Sequence, residues 1–223
     1  MLGLITVRPY LTKMDNNGLE NGVNRHGGMV VMDLEYTAWE GSLERGWSKP
    51  GEAREIIQIG AVKIGKYRRG WSVNSVFEVY VRPTMNPVLS IFIQDLTGIS
   101  NTKISTEGVQ FSEAAQRLRG FVCERELILV NGDDAIVFDE NCLINQLKNP
   151  FPAESFINIR PTLANAIGAE VSSAALNSHR LGRGKSERNS NRRKHNAVDD
   201  ALCICDALID LQLCDQFCHE VQR

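Results

Sequence analysis

After a short apolar stretch at the N-terminus, broken by Arg8 and Pro9, the chain reaches the run Met29-Val30-Val31-Met32, which continues into Asp33-Leu34-Glu35-Tyr36. A run this short and this apolar predicts a strand buried on both faces. A polar loop follows over 37–54, and Glu55 to Ile64 predicts a second strand. Trp71 to Val81 predicts a third, with Val73, Ser75, Phe77, Val79 and Val81 alternating against polar partners. Gly65 to Gly70 would turn the chain between these two as an antiparallel hairpin. Residues 82–111 read as loop-rich, with Pro83, Pro87 and a short apolar piece from Ile91 to Leu96. Ser112 predicts the N-cap of a helix from Glu113 to about Arg125, on a stripe of Ala114, Ala115, Leu118, Phe121 and Val122. Leu127 to Val130 is a fourth strand. A helix through Phe138, Leu143 and Leu147 then runs until Pro150. Ser155 to Ile159 is a fifth strand. Thr162 would cap a helix through Ile167 that stops near Gly168, and a last helix spans about Ala197 to Val221. Three strands followed by alternating helices and strands predict an α/β fold, a mixed sheet with helices packed on it.

The chain of 223 residues is long enough for one sizeable core, and its 43% hydrophobic and 23% charged residues suit an ordinary globular protein. Residues 1–28, rich in Asn and Gly from Asp15 onward, read as a weakly structured tail, leaving one domain over 29–223. Met1 to Lys13 carries no basic region or cleavage site of a signal peptide, and no apolar run reaches bilayer length. A cytoplasmic protein is expected. Net charge is −2, so a nucleic-acid partner would have to act through a local patch. The six cysteines form no C-x-x-C pair. Cys214, Cys218 and His219 are read as core and surface residues and not as a zinc site.

Three polar groups stand out against that background. Asp33 and Glu35, two apart on a strand, point to one face. Two carboxylates side by side repel each other and resist burial unless a cation lies between them. Asn131-Gly132-Asp133-Asp134 follows a strand directly, where sites cluster in open α/β sheets. His195-Asn196-Ala197-Val198-Asp199-Asp200 ends a loop and begins a helix. Taken singly, each pattern also fits a solvated strand end, a polar turn or acids at a helix N-terminus.

Taken together, these residues resemble the DEDDh family of 3′-to-5′ exonucleases, which includes oligoribonuclease, RNase T and proofreading subunits. The matching segments are Val31-Met32-Asp33-Leu34-Glu35-Tyr36-Thr37, Glu55-Ile56-Ile57-Gln58-Ile59-Gly60-Ala61-Val62, Leu96-Thr97-Gly98-Ile99-Ser100 and His195-x-Ala197-x-x-Asp200-Ala201. The pattern is nearest to the branch of histone-mRNA and small-RNA 3′ exonucleases and their bacterial relatives, over about residues 29–215. The resemblance implies an RNase H-like mixed five-stranded sheet flanked by helices, holding two divalent cations, Mg²⁺ or Mn²⁺. Asp33, Glu35 and Asp200 would be ligands, Glu35 and His195 the catalytic pair, and His195 the general base. Asp134 is preferred as the fourth acid, because Phe138 and Cys142 then fall one and two turns later, facing the core. Asp139 and Asp133 stay open, since Phe138-Asp139 with Leu143 also mimics the family pattern and the usual preceding residues are absent. Two cations about 4 Å apart suit phosphodiester hydrolysis, because charge develops on both the attacking and the leaving oxygen. A His with a pKa near ~6.5 can accept the proton of a water.

The same resemblance puts Leu34, Tyr36, Thr37, Trp39, Leu96 and Ile99 beside the terminal base, where aromatic side chains stack on single strands. Trp39 and Trp47 equally fit packing of their own loop. Between His179 and Lys194 lie Arg180, Arg183, Lys185, Arg188, Arg192, Arg193 and Lys194 against one acid, Glu187. This stretch fits a solvated loop and also a phosphate grip, with Arg192, Arg193 and Lys194 next to His195. The expected activity is removal of nucleotides from single-stranded 3′ ends, RNA slightly before DNA, releasing nucleoside 5′-monophosphates. A silent nucleic-acid-binding module on the same fold is the alternative. Expected partners are single-stranded RNA or DNA 3′ ends, with no membrane and a homodimer left open.

Overall fold

A computed structural model of the chain describes Arg8–Pro9, residues 28–170, Ser172, Leu176, Arg193 and residues 195–218. Among these, six strands form one sheet in the order β1-β4-β3-β2-β5-β6. They are β1 (Arg8–Pro9), β2 (Met29–Tyr36), β3 (Ile56–Tyr67), β4 (Gly70–Tyr80), β5 (Leu127–Val130) and β6 (Phe156–Asn158). The helices are α1 (Ser42–Arg45), α2 (Ile91–Thr97), α3 (Asn101–Glu107), α4 (Phe111–Phe121), α5 (Asp134–Ile144), α6 (Arg160–Ile167), α7 (Ala197–Asp210) and α8 (Cys214–Cys218). The mixed five-stranded sheet expected from the sequence is β2 to β6. Strand β1 adds a two-residue edge, pairing Arg8 with Val76 and Pro9 with Ser75. The rest of the tail expected over 1–28, apart from Gly28, lies outside the described residues.

β2 is central because it is apolar on both sides. Met29 and Val31 pack with Leu163, Leu202 and Leu208 of α6 and α7. Val30, Met32 and Leu34 pack with Leu118 and Phe138 of α4 and α5. β2 runs antiparallel to β3 and parallel to β5, with Met32 opposite Val130. The carboxyl ends of β2 and β5 therefore lie side by side, and whatever follows Met32 meets whatever follows Val130.

The hairpin is longer than expected, since β3 reaches Tyr67 and β4 starts at Gly70 around a turn at Arg68–Arg69. Its tip is solvated, so the apolar alternation fades before the pairing does. The stretch read as loop holds α2 and α3, capped by Ser90 and Ser100, whose hydroxyls accept from the Ile93 N–H (3.2 Å) and the Lys103 N–H (3.1 Å). At seven residues each they complete too few turns to show a period. α4 starts at Phe111 and stops at Phe121, so Ser112 is not its cap. Val109 is still paired with Val81, and the helix begins as soon as the chain leaves the sheet. α5 stops at Ile144, where the Asn145 amide donates to the Asn141 carbonyl (2.8 Å). Thr162 lies inside α6, which starts at Arg160 after Asn158 Oδ1 accepts the Arg160 N–H (3.0 Å), with Pro161 in the first turn. The long terminal helix is two, because α7 ends at Asp210 and the chain turns through Gln212 at φ 57°. Cys142, Cys203, Cys205 and Cys214 are buried, as small core residues. No helix among the described residues is long and apolar enough to cross a membrane.

Candidate active site

The odd-numbered face of β2 is hydrocarbon at Met29 and Val31 and carboxylate at Asp33 and Glu35. Both acids stay buried, at 7% and 8% exposure. Asp33 lies opposite Gly60 of β3, and Glu35 opposite Gln58. A Cβ on Gly60 would stand 2.3 Å from the carbonyl carbon of Ala197 and the nitrogen of Val198. The first turn of α7 thus rests directly on β3, which brings Asp200 onto the acids of β2. Asp200 shares its helix face with Ile204 and Leu208, both buried, so the apolar stripe that docks α7 also aims this carboxylate inward.

Asp134 arrives from the other side. It is the first residue of α5, and its carboxylate accepts the N–H of Leu34, just beyond the last residue of β2 paired with β5. α5 is pinned by Asn141, whose Oδ1 accepts from the Ile56 N–H (2.9 Å) and whose amide donates to the carbonyls of Arg54 (2.7 Å) and Val137 (2.8 Å). Phe138 and Cys142 are buried, facing the core as the choice of Asp134 required. Asp139 instead points to solvent and accepts from Asn149 Nδ2 (2.5 Å), while Asp133 is exposed beside Arg54 (3.8 Å).

Asp33, Glu35, Asp134, Asp200 and His195 line one cavity of about 600 Å³. Glu35, His195 and Asp200 each place one donor atom within 4.8 Å of the others. Burial pushes the Glu35 carboxyl up to about 8, helped by Asp200 and then Asp134. Asp134 is pushed up to about 7 by burial, against the pull of the Leu34 N–H, its own N–H and Arg160. Asp200 also rises to about 7 by burial, opposed by the His195 N–H aimed at it and helped by Asp199. Such carboxyls keep protons near neutrality unless a cation replaces them. Hard, closely set oxygen donors of this kind fit divalent cations such as Mg²⁺ or Mn²⁺.

The walls are mostly apolar. Leu34, Tyr36, Trp39 and Leu96 line the cavity. Tyr36, pushed up to about 12 by burial and then by Asp134, keeps its hydroxyl proton, and its ring lies 5.6 Å from Trp47. Two expected residues are elsewhere. Thr37 is buried and closes the loop behind the cavity, donating to the Ala53 carbonyl (2.6 Å) and accepting from the Glu55 N–H (3.0 Å). Ile99 is 2% exposed and packs with Ile57, Leu89 and Ile104 in a separate core. Arg193 is off the cavity, its backbone and side chain both donating to Asp199 (3.2 Å). Arg192, Lys194 and most of the basic stretch lie outside the described residues.

The sequence reading missed Leu43, Phe92 and Arg160, which line the cavity together with Asn131 of the segment singled out there. Leu43 and Phe92 are exposed apolar residues on α1 and α2, helices hidden in stretches read as loop. Arg160 follows the fifth strand directly, and that position was its signal. Its Nη2 donates to the Asn131 carbonyl (2.8 Å), and its guanidinium lies flush on Gly132, where a Cβ would stand 2.0 Å from Nη2.

The sequence matches the exonuclease family (RNase_T) over residues 30–208. It is 24% identical over 185 residues to the Homo sapiens protein ERI1 exoribonuclease 2, covering 72% of this chain and 26% of that protein. It is 28% identical over 147 residues to 3′-5′ exoribonuclease 1 of Mus musculus, covering 61% of this chain and 40% of that one. The chain therefore spans between about a quarter and two-fifths of the length of these curated relatives. The solved nuclease domain of 3′hExo, described as a DEDDh family member bound to rAMP, superposes with a TM-score of 0.68. The identity is 24%, over 88% of this chain and 96% of that one. Exonuclease I of E. coli in complex with a dA16 oligonucleotide superposes with a TM-score of 0.61 at 12% identity, over 86% of this chain and 42% of that one. At these identities the superpositions establish a common fold.

Proposed function

We propose that this chain, which belongs to the exonuclease (RNase_T) family, is of the DEDDh type and removes nucleotides from single-stranded 3′ ends, RNA before DNA, releasing nucleoside 5′-monophosphates. The observation that carries this reading is the convergence of Asp33, Glu35, Asp134, Asp200 and His195 on one cavity with apolar walls.

Asp33, Glu35, Asp134 and Asp200 would hold two divalent cations, Mg²⁺ or Mn²⁺. When bound, these supply charge neutralisation at the attacking and leaving oxygens and acidify the attacking water. The chain's own groups do the rest. His195 takes the water's proton at an imidazole nitrogen. Tyr36, Trp39, Leu43, Phe92 and Leu96 hold the terminal base by stacking and contact, which accepts any base. Arg160 is the only Lys or Arg lining the cavity among the described residues, and it meets a backbone phosphate. Arg192, Arg193 and Lys194 extend the grip along the strand, so binding weakens with salt.

The test is digestion of 5′-labelled single-stranded RNA and DNA with Mg²⁺, Mn²⁺ or EDTA. Stepwise shortening from the 3′ end, nucleoside 5′-monophosphate products and intact circular strands are expected. Cleaved circles would make the protein an endonuclease. Metal-induced stabilisation without hydrolysis of any oligonucleotide would make it a silent binding module.

A further inference from the structure

Gln58 lies near the start of β3 and is fully buried. A buried amide persists only where both of its ends are satisfied. Its Nε2 donates to Glu78 Oε1 (2.7 Å) and lies 3.3 Å from the Tyr80 hydroxyl, which donates to the same carboxylate oxygen (2.8 Å). A carboxylate only accepts, so Glu78 fixes which end of the amide faces β4. The other end, Oε1, is thereby turned toward α7. It accepts from the Ala197 N–H (3.0 Å) and from Asn196 Nδ2 (3.4 Å). Asn196 is itself buried and caps α7, its Oδ1 accepting from the Asp199 N–H (3.3 Å).

Asn196 and Ala197 are the two residues that follow His195. His195 has φ 55°, a left-handed conformation that a non-glycine residue keeps only when its surroundings hold it there. On its own side the His195 N–H is held by the Asp200 carboxylate. On the other side the hold comes from Gln58.

We propose that Gln58 is a positioning residue for His195, clamping the start of α7 to β3 through Ala197 and Asn196, with Glu78 setting the orientation of its amide. The inference rests on the reading of His195 as the proton acceptor. Gln58 touches no substrate and acts only through the backbone that carries the imidazole.

The experiment is steady-state hydrolysis of a single-stranded oligonucleotide with Mg²⁺, alongside melting with and without Mn²⁺. Gln58→Met keeps the volume and removes both ends of the clamp. It should lower kcat by about 10²-fold, the effect of a small misplacement of a reacting group, and leave KM within about threefold. In a His195→Ala background the same change should alter kcat by less than about twofold, because residues that act as a unit are not additive. Gln58→Glu alone sets two carboxylates against each other and should also lower kcat. Adding Glu78→Gln returns a donor to the pair, with the new carboxylate accepting from Ala197, and should recover most of the loss.

An equal loss of kcat with and without His195 would overturn the proposal, as would native kcat in Gln58→Met or the absence of rescue. Loss of the Mn²⁺-induced melting shift in Gln58→Met would also overturn it, placing the effect on the acids. A native chain that hydrolyses nothing would remove the exonuclease reading itself, and the proposal with it.

Discussion

Asp33 and Gly60 face each other across the β2–β3 pair, and the side that Gly60 leaves bare is where the backbone of Ala197 and Val198 comes to rest. One missing methyl thus sets the distance between the first acid and the helix that brings Asp200. Gly60→Ala should force α7 outward, destabilising the fold by about 3 kcal/mol, the upper end of overpacking, and removing nearly all hydrolysis. Urea unfolding and turnover check this together. Native stability with native turnover would show that α7 has slack there.

Without added cations, stability should fall as pH rises. Glu35, Asp134 and Asp200 hold their protons up to about 8, 7 and 7 in the fold, against ordinary values of 4.5, 3.8 and 3.8. Between those limits the folded chain binds more protons than the unfolded one. Their contribution is therefore full below about pH 4 and is lost as pH rises through 7 and 8. The metal-free protein should melt at a higher temperature near pH 5.5 than near pH 8.5. Mn²⁺ should raise the melting temperature more at the higher pH, where no proton competes. A metal-free melting temperature that climbs across this interval would contradict the argument.

Glu35→Gln should separate fold from function. It removes one charge from a mutually repelling buried set, so the metal-free protein near pH 8 should be at least as stable as the native chain. The Mn²⁺-induced rise in melting temperature should shrink, and turnover should fall by about 10³-fold or more, since the proposed chemistry depends on bound cations. Calorimetry with and without Mn²⁺ and a single-turnover assay read both. Full turnover would remove Glu35 from the site.

Arg160→Met keeps the stem of the side chain and deletes its charge. Affinity for a single-stranded oligonucleotide should weaken, with a slope of log K against log salt shallower by about 0.7, the value for one phosphate contact on a single strand. Binding titrations at several salt concentrations check it. An unchanged slope would show that Arg160 serves Asp134 and Asn131 alone.

Much of this arrangement was legible beforehand because strand geometry is a two-residue code. Asp33 and Glu35 had to share a face, and the apolar residues before them had to make that strand central. His195 and Asp200 were legible for a similar reason, lying where a loop gives way to a helix with an apolar stripe. The choice between Asp134 and Asp139 was harder. Five residues apart on a helix, they point about 140° apart, so only one can face the sheet, and which one depends on where the first turn begins. Leu43 and Phe92 were missed because α1 and α2 are too short to show a period. Thr37 and Ile99 belong to matching motifs, but their burial depends on how the loop over 37–55 and α2 fold back on the sheet. Gln58 stands in a matching segment, but no role for it was legible there, because its partners come from 20, 22, 138 and 139 residues away.

Along β2, oil turns to acid on a single side between Val31 and Asp33. Sliding that strand one place against β3 would bring Leu34 under α7 and swing both carboxylates toward Phe138. Such a chain could still collapse around a greasy middle, yet it would have nothing with which to cut. One inserted residue inside β2 is therefore a far graver lesion for turnover than several in the loop over 37–55, where added length leaves the in-and-out rhythm of the strand untouched.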